Sequence, residues 1–263
     1  YGQWIEENRV KLRLLTDPTN AATIETDEEL LIRQKACGYT SEDLKLILKP
    51  MAEKATEPIG SMGADTPIAV LSNQSQHISN YFKQLFAQVS NPPIDPIRER
   101  MVMSLFTRVG ESLNILEETP EHTKQVHISQ PVLLDEDLEK FKSLHTIDFN
   151  YGVLNSTFNA DGKPSRLEQG LDDLCSMAER AIKEGKKVLI ISDKAVNKDR
   201  APIPSLIATG AVHHYLVRNN LRTKVGIVVE GGDIWETHHF ATIIGYGASA
   251  VNPYLAIATI KQL

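Results

Sequence analysis

Two short, unbroken apolar runs constrain this chain most: Val188-Leu189-Ile190-Ile191 and Val225-Gly226-Ile227-Val228-Val229. A strand with one wet face alternates apolar and polar side chains, because successive Cβ atoms point to opposite faces of the sheet. Neither run alternates. Both are rich in β-branched residues and short, so they read as strands covered on both faces, the situation inside a parallel sheet. Parallel neighbours need a crossover, and helical text lies between the runs. The sequence therefore predicts strands over 146–150, 188–192, 225–230 and 250–253, with helices over 165–183, 205–219 and 235–244. Successive units of this kind make an α/β fold with right-handed crossovers. The same pattern suits an open sheet or part of a barrel.

Residues 1–145 read differently, and a boundary there divides a mainly helical part from the βα-repeat part at 146–263. Leu30, Leu31 and Gln34 recur at helical spacing over 27–36, and Thr40-Ser41-Glu42-Asp43 offers caps for a second helix with Leu44, Ile47 and Leu48 on its apolar face. A third helix is predicted over 78–89. Pro92, Pro93 and Pro96 then interrupt the chain, and Pro96 suits the first turn of a helix running to 109, with Asp95 as its cap and Glu99 near its positive end.

Charge and cysteine usage exclude several classes of partner. The net charge is −6 and basic residues do not cluster in the sequence, so nucleic acid and anionic membrane surfaces are poor partners. No apolar run reaches the ~20 residues of a membrane helix. The opening Tyr1-Gly2-Gln3-Trp4 has no leader character, and the missing initiator methionine points to a chain taken from a longer one. A cytoplasmic setting is expected, or a plastid if the source is a plant or alga. Cys37 and Cys175 lie outside any CxxC or Cys/His ligand pattern and read as reduced core thiols.

The densest unusual text is Glu57-Pro58-Ile59-Gly60-Ser61-Met62-Gly63-Ala64-Asp65-Thr66-Pro67. Its glycines permit close backbone approach, and Asp65-Thr66-Pro67 can form a side-chain-bonded turn. It has neither the lysine nor the spacing of a phosphate loop. Two readings stand: a shaped surface that another element docks against, or a tight connection. The segment 86–100, FAQVSNPPIDPIRER, is stiffened by its prolines; Arg98 and Arg100 invite an anion or simply face water. His213-His214 and His238-His239 suggest a metal, yet adjacent helical residues point about 100° apart and the i, i+4 spacing of HExxH is absent. They read better as core or hydrogen-bonded histidines. Glu230-Gly231-Gly232-Asp233 occupies a strand-to-helix mouth where α/β folds hold anions, but its two acids would repel a phosphate. Gly245-Tyr246-Gly247-Ala248 reads as a helix C-terminal turn into the next strand. No catalytic, cofactor-binding or metal-ligating residue emerges from these patterns.

The wording itself carries a resemblance. EPIGSMGADTP, YFKQLFAQVSNPPIDPIRER, Leu116-Glu117-Glu118-Thr119-Pro120-Glu121-His122, DRAPIPSLIATGAVHH and the HHF…IGYGA…VNPYLA text closely resemble the central domain of glutamate synthase, nearly end to end and in order. Departures are Ala64, where that family usually has Asn or Asp, and Glu230-Gly231-Gly232-Asp233 in place of a more usual Glu-Ser-Gly-Glu. The resemblance implies a degenerate or partial βα barrel without chemistry of its own. In that family the domain lies between a glutamine amidotransferase domain and an FMN-binding synthase domain that also holds an iron–sulfur cluster, and a small reductase subunit serves some members. Ammonia released from glutamine travels inside the protein to the flavin site, where 2-oxoglutarate becomes L-glutamate. The resemblance marks Gly60, Ser61, Met62, Gly63, Asp65 and Thr66 as an interdomain or ammonia-channel loop, and Gln88, Asn91, Asp95 and Arg98 as an interdomain segment. A stand-alone barrel-derived enzyme or binding domain for a small anion is the alternative.

Overall fold

The computed structural model describes residues 1–15, 26–58, 60, 63, 71, 73, 75–83, 85, 94–144 and 149–263. Helix α1 (Gly2–Asn8) leads into strand β1 (Val10–Lys11), and α2 spans Asp27–Ala36. Thr26 and Glu29 close a reciprocal capping box on α2, as the Thr-x-x-Glu spacing dictates. Thr40 and Asp43 form the corresponding pair for the next helical stretch, which winds through a π-helical segment (Asp43–Leu48) into α3 (Lys49–Lys54).

Helix α4 (Pro96–Val102) begins where Asp95 accepts from the amides of Ile97 (3.0 Å) and Arg98 (2.9 Å), but it stops well short of residue 109. The Phe106 amide donates to Ser104 Oγ, turning the chain into β2 (Thr107–Val109). Val109 is wholly buried there, and pairing with β3 (Val126–Ile128) satisfies its backbone as a continued helix could not. The helix predicted over 78–89 shrinks to a single 3₁₀ turn, Ile78–Tyr81; Phe82, Lys83 and Leu85 are not helical, and 84 and 86–89 lie outside the described residues. Helix α5 (Asp135–Ser143), absent from the sequence reading, completes this half.

The second half follows the predicted alternation. It comprises β4 (Tyr151–Asn155), β5 (Thr157–Asn159), α6 (Arg166–Lys183), β6 (Val188–Ser192), β7 (Arg200–Pro202), α7 (Ser205–Arg218), β8 (Gly226–Glu230), α8 (Thr237–Gly245), β9 (Ala250–Asn252) and α9 (Tyr254–Gln262). The first strand is displaced from 146–150, of which 146–148 lie outside the described residues. Asn150 precedes the ladder, its carbonyl accepting from Lys187 and Val188, so pairing starts at Tyr151↔Val188. Tyr151-Gly152-Val153-Leu154-Asn155 carries no apolar run because β4 has one strand neighbour and Val153 is half exposed.

The order β4-β6-β8-β9 is parallel throughout and follows the chain without reversal. Right-handed crossovers stepping in one direction all fall on one face, unlike a doubly wound sheet, whose order reverses. Accordingly Leu189, Ile191, Ile227, Val229 and Val251 share one core with Leu174 and Ala178 of α6, Val212 and Leu216 of α7 and Ile243 of α8. The opposite face, the lumen side of a barrel, is not empty. Val188, Ile190, Val228 and Ala250 pack on Leu12, Val109, Val126, Leu138 and Phe141, from the small β1-β3-β2 sheet and α5. Each such fully buried side chain contributes about 1.5–3 kcal/mol. The fold is thus α/β, with a partial-barrel run of βα units whose inner face is filled by the N-terminal half. Among the described residues no helix is long and apolar enough to cross a membrane.

Gly226 marks a tight joint between the two halves, since a Cβ there would lie 2.6 Å from the Gly110 nitrogen and 2.6 Å from a Val109 methyl. Gly226→Ala should cost about 1–3 kcal/mol through overpacking, read as a lower denaturant midpoint. Gly245→Ala, with open space around it, should be nearly neutral. Equal midpoints for the two variants would show that the sheets do not dock this closely.

Candidate functional site

Parallel α/β sheets place ligands at the carboxyl ends of their strands, and here those ends gather buried acids. Glu230 closes β8, 3% exposed, and accepts from Ser192 Oγ at 2.5 Å, from the strand beside it. Two ammonium groups reach it, Lys194 at 3.3 Å and Lys142 of α5 at 3.7 Å. Asp193, 1% exposed, accepts from the Gly232 amide at 2.8 Å. Its Oδ1 has no hydrogen-bond partner among the described residues. Burial first, then the charge of Asp233, pushes Asp193 up to about 7, against the pull of the Gly232 amide. Asp233 accepts from the Ser205 amide at 3.0 Å. It thereby caps α7, whose own N-cap is Pro204, and places a carboxylate at the helix's positive end.

A lid of side chains closes over these acids. Trp235 packs tilted against Tyr39 (4.4 Å) and edge-on against His239 (4.8 Å) and His77 (5.2 Å), whose two imidazoles stack on each other at 4.1 Å. The His77 Nε2–H donates to the Asp233 carbonyl at 2.8 Å while its Nδ1 accepts from Ser79, which fixes the tautomer as neutral. Burial, then His239, lowers the His77 pKa. A Cβ at Gly231 would meet Ser205 Oγ at 2.5 Å, and one at Gly232 would meet Cys37 Sγ at 2.6 Å and the Tyr254 hydroxyl at 3.0 Å. Burial and then Asp193 push the Cys37 thiol and the Tyr254 hydroxyl far up, so both stay protonated. A flavin phosphate needs donors and room at this mouth. Glu230 and Asp233 supply negative charge, Asp193 is a buried acid, and the glycine cradle is already filled, so these residues do not fit that group.

The sequence-predicted loop ends on this same lid. Glu57 accepts from the Thr237 amide at 2.8 Å and from its hydroxyl, capping α8 from outside. Gly63 has φ +80°, and an added Cβ would overlap the Phe82 carbonyl oxygen. Gly60 is exposed with open space around it. Ser61, Met62, Asp65 and Thr66 lie outside the described residues, as do Gln88 and Asn91. Asp95 is engaged in its cap and Arg98 is exposed on α4. Beside Arg98, α4 and the turn after it expose Ile97, Met101, Met103 and Leu105, each more than half accessible.

Three of the four paired histidines are held by hydrogen bonds, and His214 is exposed with its ring edge-on to His213. His238 donates through Nε2 to Ser79 O at 2.8 Å, His239 accepts from the Trp235 amide and meets Glu236 at 3.1 Å, and His213 accepts from Arg222 at 3.0 Å. Both cysteines are buried and unpaired. In the DRAPIPS text, Arg200 ties β7 to β5 through Thr157 and Asn159, and Ser205 meets the Asp233 cap. The sequence reading missed Asp193, Cys37, Tyr39 and Tyr254. The one available signal for Asp193 was its place directly after an apolar strand, the mirror of Glu230 and Asp233.

The sequence model of the family described as glutamate synthase central domain matches residues 32–263. The chain is 45% identical over 262 residues to the glutamate synthase (NADPH) large chain of Bacillus subtilis (strain 168), covering 100% of itself and 17% of that relative. Against ferredoxin-dependent glutamate synthase 2, chloroplastic, of Arabidopsis thaliana it is 43% identical over 268 residues, with 100% and 16% covered. Against the glutamate synthase (NADH) of Schizosaccharomyces pombe the identity is 41%, with 98% and 12% covered. The chain therefore spans 12–17% of the length of these curated relatives.

Asp193 generates a prediction with a definite sign. The folded chain keeps its proton to about pH 7, whereas an unfolded aspartate releases it near pH ~3.9. Stability tied to Asp193 is full below that lower value and declines as pH rises towards 7, at up to about 1.4 kcal/mol per pH unit. Asp193→Asn, a neutral isostere that can still accept from Gly232, should therefore gain on the native chain between pH 5 and pH 8 in denaturant midpoint. A constant difference at both pH values would mean that Asp193 is ionised in the fold.

Proposed function

The chain belongs to the glutamate synthase central-domain family, and from that premise we propose that it is a non-catalytic domain linking a glutamine amidotransferase domain to an FMN-binding synthase domain and walling the ammonia route between them. The observation that carries this reading is the exposed apolar row Ile97, Met101, Met103 and Leu105 beside Arg98. Apolar surface of this kind is what a neighbouring domain covers. The relatives are each roughly six to eight times longer, which supports further domains of the same polypeptide as the occupants. The self-filled strand ends support the non-catalytic part of the reading, since neither a nucleophile–base pair nor an anion cradle is free there.

On this reading, 2-oxoglutarate amination and reduction, with the FMN and iron–sulfur cluster, belong to the synthase domain. Electrons reach it from a small reductase subunit or from ferredoxin. The loop from Glu57 to Pro67 is the part of this domain assigned to the ammonia route. Its anchorage supports a fixed wall, because Glu57 is tied to Thr237 at the start of the loop and Gly63 sits against the Phe82 backbone. Ammonia must stay unprotonated to act as a nucleophile, which a dry wall favours.

The test is Gly63→Val in the full-length protein, with Gly63→Ala as the milder variant. Glutamine hydrolysis and ammonia-dependent glutamate formation should each persist within about threefold, roughly 0.7 kcal/mol of barrier. The ratio of glutamine consumed to glutamate formed by reduction should rise as ammonia escapes. A folded variant with the wild-type ratio would leave the loop as a connector only.

A further inference from the structure

The small β1-β3-β2 sheet carries an unusual row on its outer side. Register pairs Lys11 with His127 and His127 with Arg108, so three basic side chains stand abreast across three strands. One step along, Val10, Val126 and Val109 form the matching inner row, with Val109 and Val126 wholly buried. Lys11 and Arg108 flank the imidazole from the two neighbouring strands, and nothing in the packing of the inner face requires cations outside.

The row borders a cleft of about 340 Å³ lined by Arg9, Lys11, Arg13, His127, Ser129 and Gln130, among others. Arg9 is bonded to Glu6, and its Nε is buried without a partner. Among the described residues Lys11, Arg13 and Arg108 have no acidic partner, although Arg108 stands 5.8 Å over the Phe106 ring. Among the described residues the one acid lining the cleft, Asp137 of α5, already accepts from the Leu134 amide and lies 4.0 Å from Lys140. Burial, then Arg108, Arg9 and Lys11, lowers the His127 pKa, so that ring is a neutral donor or acceptor in an otherwise positive cleft. In a chain of net charge −6 this is a local reversal of sign.

We propose that this cleft is a binding site for a small, multiply charged anion of the carboxylate or phosphate class, held by Lys11, Arg13 and His127 of its lining, with Arg108, the next residue along the row, reaching in from outside that lining. A planar guanidinium and an ammonium on either side of an imidazole can meet two acidic groups at once, and Ser129 and Gln130 add neutral donors. The cleft lies at the small end of the size range of ligand pockets, which suits a molecule of a few carbons or a free phosphate. The site is separate from the strand-end lid and independent of any ammonia route.

The test is equilibrium dialysis of the full-length protein carrying this chain, with labelled inorganic phosphate in one arm and labelled succinate in the other. The double variant Lys11→Ala/Arg108→Ala should bind one equivalent fewer than wild type, or bind at least tenfold more weakly, in one arm or both. The arm that changes identifies the acidic group recognised. Lys163→Ala/Lys198→Ala, an equal charge change on exposed residues, should behave as wild type, and Lys11→Arg/Arg108→Lys should retain the site. Added salt should weaken the binding. Lys11→Ala alone serves if the double variant does not fold. Identical binding by wild type and the alanine variants in both arms, or an equal loss in the surface control, would overturn the proposal.

Discussion

The rest of the structure depends on covering both faces of one parallel sheet. Backbone pairing satisfies β4, β6, β8 and β9 along their edges, but Val188, Ile190, Val228 and Ala250 would face water on the side away from their own crossovers. Crossovers of one hand and one direction cannot reach that side. Another part of the chain has to, and the N-terminal half does so with a three-stranded sheet and α5. Gly226 shows how close the approach is, because no side chain fits between β8 and the backbone at Gly110. The apparently irregular first half is thus the second wall of the core, and its short strands make sense only as part of that wall.

The same closure decides what becomes of the strand ends. In a barrel with working loops this is the open mouth. Here the connections turn inward: Asp233 caps α7, Glu57 caps α8, and Cys37 and Tyr254 fill the space beside Gly232. Helix N-termini that elsewhere bind substrate anions are neutralised by the protein's own carboxylates. The lysines around Glu230 and the raised pKa of Asp193 are consequences of packing acids where phosphate would otherwise sit.

How much of this was legible depended on whether a signal was local. Val188–Ser192 and the helices α2, α6 and α7 are written in period and caps, and the structure matches them to within a residue at each end. The cap at Asp95 and the turn at Gly247, with its φ of +111°, are equally local. Three features were not. Val109 is drawn into a strand by Val126, a partner no helical periodicity reveals. Tyr151–Asn155 is an edge strand whose exposed Val153 breaks the apolar run that marked its neighbours. Cys37, Tyr39 and Tyr254 meet Asp193 only after α2 and α9 have packed together through Gln34 and Thr259, 225 residues apart in sequence.

The family resemblance and the packing bear on different things. Resemblance rests on strings such as DRAPIPSLIATGAVHH, and their residues turn out to be scaffold: Arg200 ties two strands, Ser205 meets an external cap, and His213 steadies Arg222. Text this particular, serving architecture rather than a reaction, fits the proposed role of a domain that holds a shape against neighbours. A catalytic mouth tolerates strain and exposed polar groups because turnover uses them. The wall proposed above gains from the reverse: closed strand ends, glycines packed against backbone as at Gly63, and, on that reading, apolar surface along α4 for a neighbouring domain to cover. The row Lys11–His127–Arg108 departs from that economy: Phe106 lies against His127 and Arg108, but the two cations have no acidic partner among the described residues, and scaffold duty offers no explanation for them.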